Sequence, residues 1–182
     1  MSDGFNMMDE KLKAAGYEDS GTEKDVKPLS QNEAMDVPKD YVAEAEKLII
    51  KLKSDKDDIL KESKKLKKWE PVPEILFDTV TTSKLRTLLT LINDIHNKIL
   101  LTQNSESKLT DSLQAQLKYL LIRVVYEAGR EDDKGKSMKG FIEKANLIPY
   151  IRGIQDDRDK FIRFFRYMEA LVAFHRYYGG KD

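Results

Sequence analysis

Residues 157–180 read DRDKFIRFFRYMEALVAFHRYYGG, and this stretch decides the fold. At about 100° per residue, Phe161, Phe164, Phe165, Met168, Leu171, Val172 and His175 share one face of a helix. Arg163, Arg166, Glu169 and Tyr177 share the other, with Ala170 and Ala173 between them. The first face is wide and aromatic, so other helices must cover it. The second face joins arginines to a tyrosine, a mixture that suits RNA or a protein partner better than water. Gly179 and Gly180 end the helix, as glycine does just past a C-terminus.

Working outward, two more helices carry the same kind of stripe. Leu85, Leu88, Ile92, Ile95 and Ile99 recur at helical spacing in a segment that Thr82 is expected to cap and that runs to about Leu101. Leu113, Leu117, Leu120, Leu121, Val124 and Ala128 repeat it in a helix capped near Thr110 and ending at Gly129. The outer face of that helix holds Tyr119, Ile122, Arg123, Tyr126 and Arg130. A face that met only solvent would favour Lys and Glu over Tyr and Ile. Packing inside the same domain is the plain alternative for both Tyr/Arg faces. Short helices are expected over 137–145 and 147–154. No alternating run bounded by turn signals occurs, so the fold class is all-α without a sheet.

The rest of the chain divides in two. Residues 1–37 are acidic and sparsely apolar and read as a flexible tail. Residues 38–74 read as a lysine-rich helix followed by a linker. Tyr41, Ala45, Leu48, Ile49 and Leu52 keep helical spacing there, and Pro71 and Pro73 block its continuation. Its lysines form either a solvated, salt-bridged face or a basic arm for RNA phosphates, and the interspersed Asp55, Asp57, Asp58 and Glu62 weaken the second reading. The packed helical domain is placed at 75–182.

Composition narrows the chemistry. The 182 residues are 40% hydrophobic and 35% charged, with 32 basic and 32 acidic side chains and no cysteine. Disulfides, thiol nucleophiles and cysteine-ligated metals are excluded. Zero net charge means that RNA binding requires a local patch rather than a global field. No apolar run approaches the roughly 20 residues of a membrane span, and the N-terminus is unlike a secretory signal. A cytoplasmic location without membrane association is therefore expected.

Catalytic patterns are weak. Gly129 to Ser137 imitates a phosphate-binding glycine loop, but five residues separate its glycines instead of four, and a helix precedes it instead of a strand. His175 lies on an apolar face with no acidic or histidine partner one turn away, so it reads as a core histidine, and His96 reads the same way. The pairs Asp132/Asp133 and Asp156/Asp157 read as loop or cap residues. The chain is expected to be no enzyme and to need no cofactor or metal.

Four blocks in order carry a resemblance: SKLRTLLTLINDIHNKIL, LKYLLIRVVYEAGR, FIEKANLIPYI and FFRYMEALVAFHRYYGGK. Together they resemble the small subunit of type III-A CRISPR effector complexes, the Csm complex, over roughly Ile75 to Asp182. The first 74 residues are not covered. The resemblance implies a compact five-helix bundle, non-catalytic, whose copies stack as a filament and help to hold target RNA against the guide RNA. Its partners would be the guide and target RNA, copies of itself, the repeat-binding backbone subunits and the large polymerase-like subunit. Cleavage and cyclic-oligonucleotide synthesis would belong to other subunits. Motif membership and helical phase then assign Lys84, Arg86, Arg123, Tyr126 and Arg130 to RNA. Arg163, Arg166, Arg176 and Tyr177 are assigned to a subunit interface or to RNA. The competing assignment is a helical protein–protein spacer with no RNA contact.

Overall fold

The computed structural model describes residues 33–65, 75–101, 107–130 and 136–182. The tail expected over 1–37 lies outside these residues as far as residue 32, and so does the linker from 66 to 74. Seven helices occur among the described residues: α1 (Tyr41–Ser63), α2 (Leu76–Thr79), α3 (Thr82–Leu101), α4 (Asp111–Gly129), α5 (Lys136–Lys144), α6 (Leu147–Ile154) and α7 (Arg158–Tyr177). No sheet is present among them, and a lone antiparallel bridge joins Lys108 to Asp157. The all-α class therefore holds, while the count of five does not. Within 75–182 the additional element is α2, a single turn in a stretch that reads as linker.

Helix α7 is the axis. Phe161, Phe164, Phe165, Met168, Leu171 and His175 are all buried, as is Tyr167. The Tyr167 hydroxyl escapes the cost of burial by donating to the Ala145 carbonyl at 3.3 Å. Helices α1 and α3 flank α7, and α6 packs against it as well. Asp157 caps its start, accepting the Lys160 N–H at 3.0 Å. Asp157→Ala should lower stability by about 1 kcal/mol, and Asp157→Ser should restore most of it. Chemical denaturation of the two variants checks this, and equal losses in both would show that the carboxylate acts by charge and not as a cap.

The lysine-rich α1 is part of the same body. Ala45, Ile49 and Leu52 are buried, with Tyr41 and Leu48 packed beside them. The sequence places the start of the packed domain near Ile75, because Pro71 and Pro73 mark a linker between this helix and the rest. Ile49 and Leu52 contribute about 1.5–3 kcal/mol each, and the small Ala45 lets the helix approach closely while adding less. Asp40 caps α1, accepting the Ala43 N–H at 3.0 Å, with Pro38 ahead of the cap. Residues 33–37 lie along α6: the Met35 N–H donates to the Pro149 carbonyl at 3.0 Å, and Val37 is buried.

Thr110 caps α4 as expected, accepting the Leu113 N–H at 3.4 Å. At the start of α3 the cap is Thr81, not Thr82. The Thr81 hydroxyl accepts the Lys84 N–H at 3.2 Å, while Thr82 turns inward and meets His175 Nδ1 at 3.0 Å. Two adjacent threonines compete for one role, and the inner one is taken by the core. Among the described residues no helix is long and apolar enough to cross a membrane.

Candidate functional site

Helices α3 and α7 run antiparallel. Thr82 meets His175 at one end of the pair, and His96 stacks on Phe165 toward the other, with ring centroids 4.0 Å apart. Near the end of α3, Lys98 donates to Gln116 of α4 at 2.8 Å. Equal steps back from that contact carry Lys84 and Arg130 toward the same end of the molecule. The start of α3, the end of α4 and the end of α7 thus place Lys84, Arg86, Arg130, Arg176 and Tyr177 toward that end. Among them, Arg86 and Arg176 meet through the Asp182 carboxylate.

On α4 the outer face is open. Tyr119, Ile122 and Tyr126 are 60%, 63% and 55% exposed. Between them the Arg123 guanidinium lies 5.5 Å from the Tyr126 ring centroid, a cation–π arrangement. Glu127 sits between two arginines, 3.7 Å from Arg123 and 3.8 Å from Arg130. Its carboxylate keeps the two guanidinium groups aligned along the helix. Among the described residues, no other helix of this protomer covers the Tyr/Arg face of α4.

The α3–α7 surface is more polar. Arg86 lies 4.0 Å from Asp182, and Arg176 lies 2.7 Å from the same carboxylate. Lys84 is half-buried and donates to the Thr79 carbonyl at 3.4 Å. Arg166 and Glu169 are exposed near His96. Tyr177 is 80% exposed and meets Tyr178 edge-on at 5.1 Å. Arg163 stands apart, near the other end of α7. It is half-buried and donates to the Val37 carbonyl at 3.4 Å, so part of its donor capacity holds the segment before α1.

Several contributors leave no signal in the sequence. Tyr178 donates to Glu46 at 2.6 Å, and Lys53 lies 5.7 Å from the Tyr178 ring, so α1 reaches the same end. Asp182 belongs to no motif at all. Exposed Leu100 and Leu101 end α3 on the opposite side from Thr82.

The histidines serve packing. Both ring nitrogens of His175 are used, Nδ1 by Thr82 and Nε2 by the Phe77 carbonyl at 3.3 Å. Burial holds its pKa below the ordinary imidazole value, and burial does the same for His96. Among the described residues no group of three or more His, Asp or Glu is placed to hold a metal ion. The glycine-loop look-alike follows helix α4 rather than a strand, and its residues 131–135 lie outside the described residues.

Comparison with known proteins adds the family. A family model described as Csm2 Type III-A matches residues 72–181. A "CRISPR system Cms protein Csm2" of Streptococcus thermophilus is 40% identical over 103 residues, covering 57% of this chain and 76% of that protein. The protein of the same description from Mycobacterium tuberculosis strain H37Rv is 39% identical over 103 residues, covering 57% of this chain and 78% of that protein. One from Enterococcus italicus is 33% identical over 123 residues, covering 66% and 84%. The chain belongs to the Csm2 type III-A family, the small-subunit family that its four sequence blocks resemble.

Proposed function

We propose that this protein is a non-catalytic small subunit of a type III-A CRISPR ribonucleoprotein, and that it helps to hold target RNA against the guide. The reading rests on one observation above the others. Tyr126 presents an open ring with the Arg123 guanidinium beside it, on a face that no other described helix covers. An aromatic ring stacks on an unpaired base, and a guanidinium fork engages a phosphate. Lys84, Arg86, Arg130 and Arg176 lie toward the same end and extend the basic character. Overall neutrality fits a subunit whose copies must also lie against one another, with charge confined to a patch. Base pairing with the guide would supply sequence selectivity, while these groups touch backbone and ring faces.

A specific observation favours a second reading. Ile122, at the centre of the α4 face, is 63% exposed, and a sugar–phosphate chain gains little from isoleucine. Tyr119, Ile122 and Tyr126 would then anchor a neighbouring subunit, with Arg163, Arg166, Arg176 and Tyr177 available for RNA or for a further subunit contact.

One experiment separates the two. The Arg123→Gln/Arg130→Gln variant is assembled into the complete complex and assayed for target-RNA capture at several salt concentrations. Under the RNA reading the variant incorporates normally, and capture weakens about tenfold or more. The slope of log K against log salt falls by about 0.7 for each phosphate that the variant no longer neutralises. Under the spacer reading the variant fails to co-purify with the other subunits. Normal incorporation together with unchanged capture and unchanged circular dichroism would remove α4 from the RNA site.

A further inference from the structure

Two arginines from different helices converge on one carboxylate. Arg86 Nη1, from the first turns of α3, lies 4.0 Å from Asp182 Oδ1. Arg176 Nη1, from the last turn of α7, lies 2.7 Å from Asp182 Oδ2. Asp182 is held in place by the backbone before it. The Gly180 N–H donates to the His175 carbonyl at 2.8 Å, and the Lys181 carbonyl accepts the Thr82 N–H at 2.6 Å. Gly180 is buried against the His175 ring, where a Cβ would collide with the imidazole. The carboxylate is therefore delivered between the two guanidinium groups by a docked segment.

We propose that Arg86 and Arg176 form a phosphate clamp for the RNA backbone, and that the Asp182 carboxylate fills this clamp until RNA displaces it. The inference rests on the RNA reading above and adds a competitor built into the chain. A phosphodiester offers a single negative charge and two free oxygens, the same features that the carboxylate presents to the two forks. Arg86, Arg176 and Asp182 each keep more than half of their side-chain surface in solvent. An ion pair of that exposure is weak, so a phosphate of a longer, multiply bound RNA can replace the carboxylate. The clamp then acts as a filter. A strand held at the α4 groups as well displaces Asp182, while an isolated phosphate does not.

The test uses the full chain and a labelled oligouridine, read by fluorescence anisotropy at low salt. Four proteins are compared: the unaltered chain, Asp182→Asn, Arg86→Gln/Arg176→Gln, and the triple variant. Asp182→Asn should bind about fivefold more tightly, the scale of one exposed ion pair. In the background lacking both arginines the same substitution should change nothing. Binding by Asp182→Asn equal to that of the unaltered chain overturns the clamp. So does a gain that persists without the arginines, because it would reflect general charge alone. Absence of binding by all four proteins would count against the RNA reading itself and would take the clamp with it. The two failures are therefore distinct.

Discussion

His175→Leu lowers the free energy of unfolding by about 2–4 kcal/mol and flattens the dependence of stability on mildly acidic pH. The size follows from what the imidazole does. It is 1% exposed and ties three elements together: its own helix α7, the Thr82 hydroxyl of α3 and the Phe77 carbonyl of α2. A carbonyl only accepts, so Nε2 carries the proton and Nδ1 accepts from Thr82. Leucine fills a similar volume and leaves no large cavity, but it strands a buried hydroxyl and a buried carbonyl. Each stranded group costs about 1–3 kcal/mol, reduced where the threonine hydroxyl can turn to another acceptor. The pH effect has a definite sign. Burial holds the folded-state pKa of His175 below 6.5; backbone hydrogen bonds with Phe77 and Val80 and the Asp78 carboxylate oppose that shift without cancelling it. The unfolded chain therefore takes up the proton first as pH falls. The contribution of His175 is whole above the unfolded pKa and is lost as pH drops through about 6.5 toward the folded value. His96 titrates in the same direction, lowered by burial against Phe165, with Glu169 opposing and Arg166 adding. Urea denaturation from about pH 7 to pH 5 should show a steeper fall for the unaltered chain than for His175→Leu, with the His96 share left in both. Identical slopes would mean that the imidazole is not held neutral by its site.

The three long helices α3, α4 and α7 are legible in the sequence because each carries an apolar stripe along its whole length. Periodicity cannot show α2, since one turn has no period. Phe77 is buried at 1% only because His175, Lys56 and α5 surround it in the folded chain. Helix α1 is legible as a helix but not as part of the packed body. Its buried stripe is short, and its charged residues of both signs offset the apolar ones in any average over the segment. Arg163 and Arg166 look equivalent on a helical wheel, being about 60° apart. One turns toward the Val37 carbonyl and the other toward solvent, because a segment far earlier in the chain lies beside only one of them.

The candidate site divides along the same line. Open rings and guanidinium groups on α4 follow from helical phase, so Tyr119, Ile122, Arg123, Tyr126 and Arg130 can be named from spacing alone. The meeting of Arg86 with Arg176 depends on how α3 crosses α7 and on where residues 180–182 dock. Neither is encoded locally. Motif membership and helical phase assign Arg86 to RNA and Arg176 to a subunit interface or to RNA without joining the two, whereas the fold makes them neighbours.

Gly153→Ala releases the segment before α1 and costs about 2 kcal/mol, although alanine is the better helix former. Gly153 lies in α6, and a Cβ there would sit inside contact distance of the Met35 carbonyl oxygen and carbon. Both are backbone atoms, so no side-chain rotation relieves the clash. The cheaper response is for residues 33–37 to lift away. That forfeits the Met35–Pro149 hydrogen bond, the burial of Val37 and the hydrogen bond from Arg163 to the Val37 carbonyl. The Lys160–Asp36 ion pair, 2.8 Å long, is surface-placed and adds little. A buried valine is worth about 1.5 kcal/mol and a backbone hydrogen bond about 1 kcal/mol, and the helix gains up to about 1 kcal/mol from alanine. The penalty has a ceiling, because once the segment is free nothing further clashes. Gly129→Ala is the matched control: its Cβ would meet nothing within 4 Å, so that variant should equal the unaltered chain or exceed it slightly. Hydrogen exchange should show Met35 losing protection in Gly153→Ala while the amides of α3 and α7 keep theirs. Limited trypsin digestion should cut after Lys39 faster in that variant alone. Retained protection at Met35 would mean that α6 itself shifts to admit the methyl group, and the destabilisation would then fall below the ceiling set by the strap.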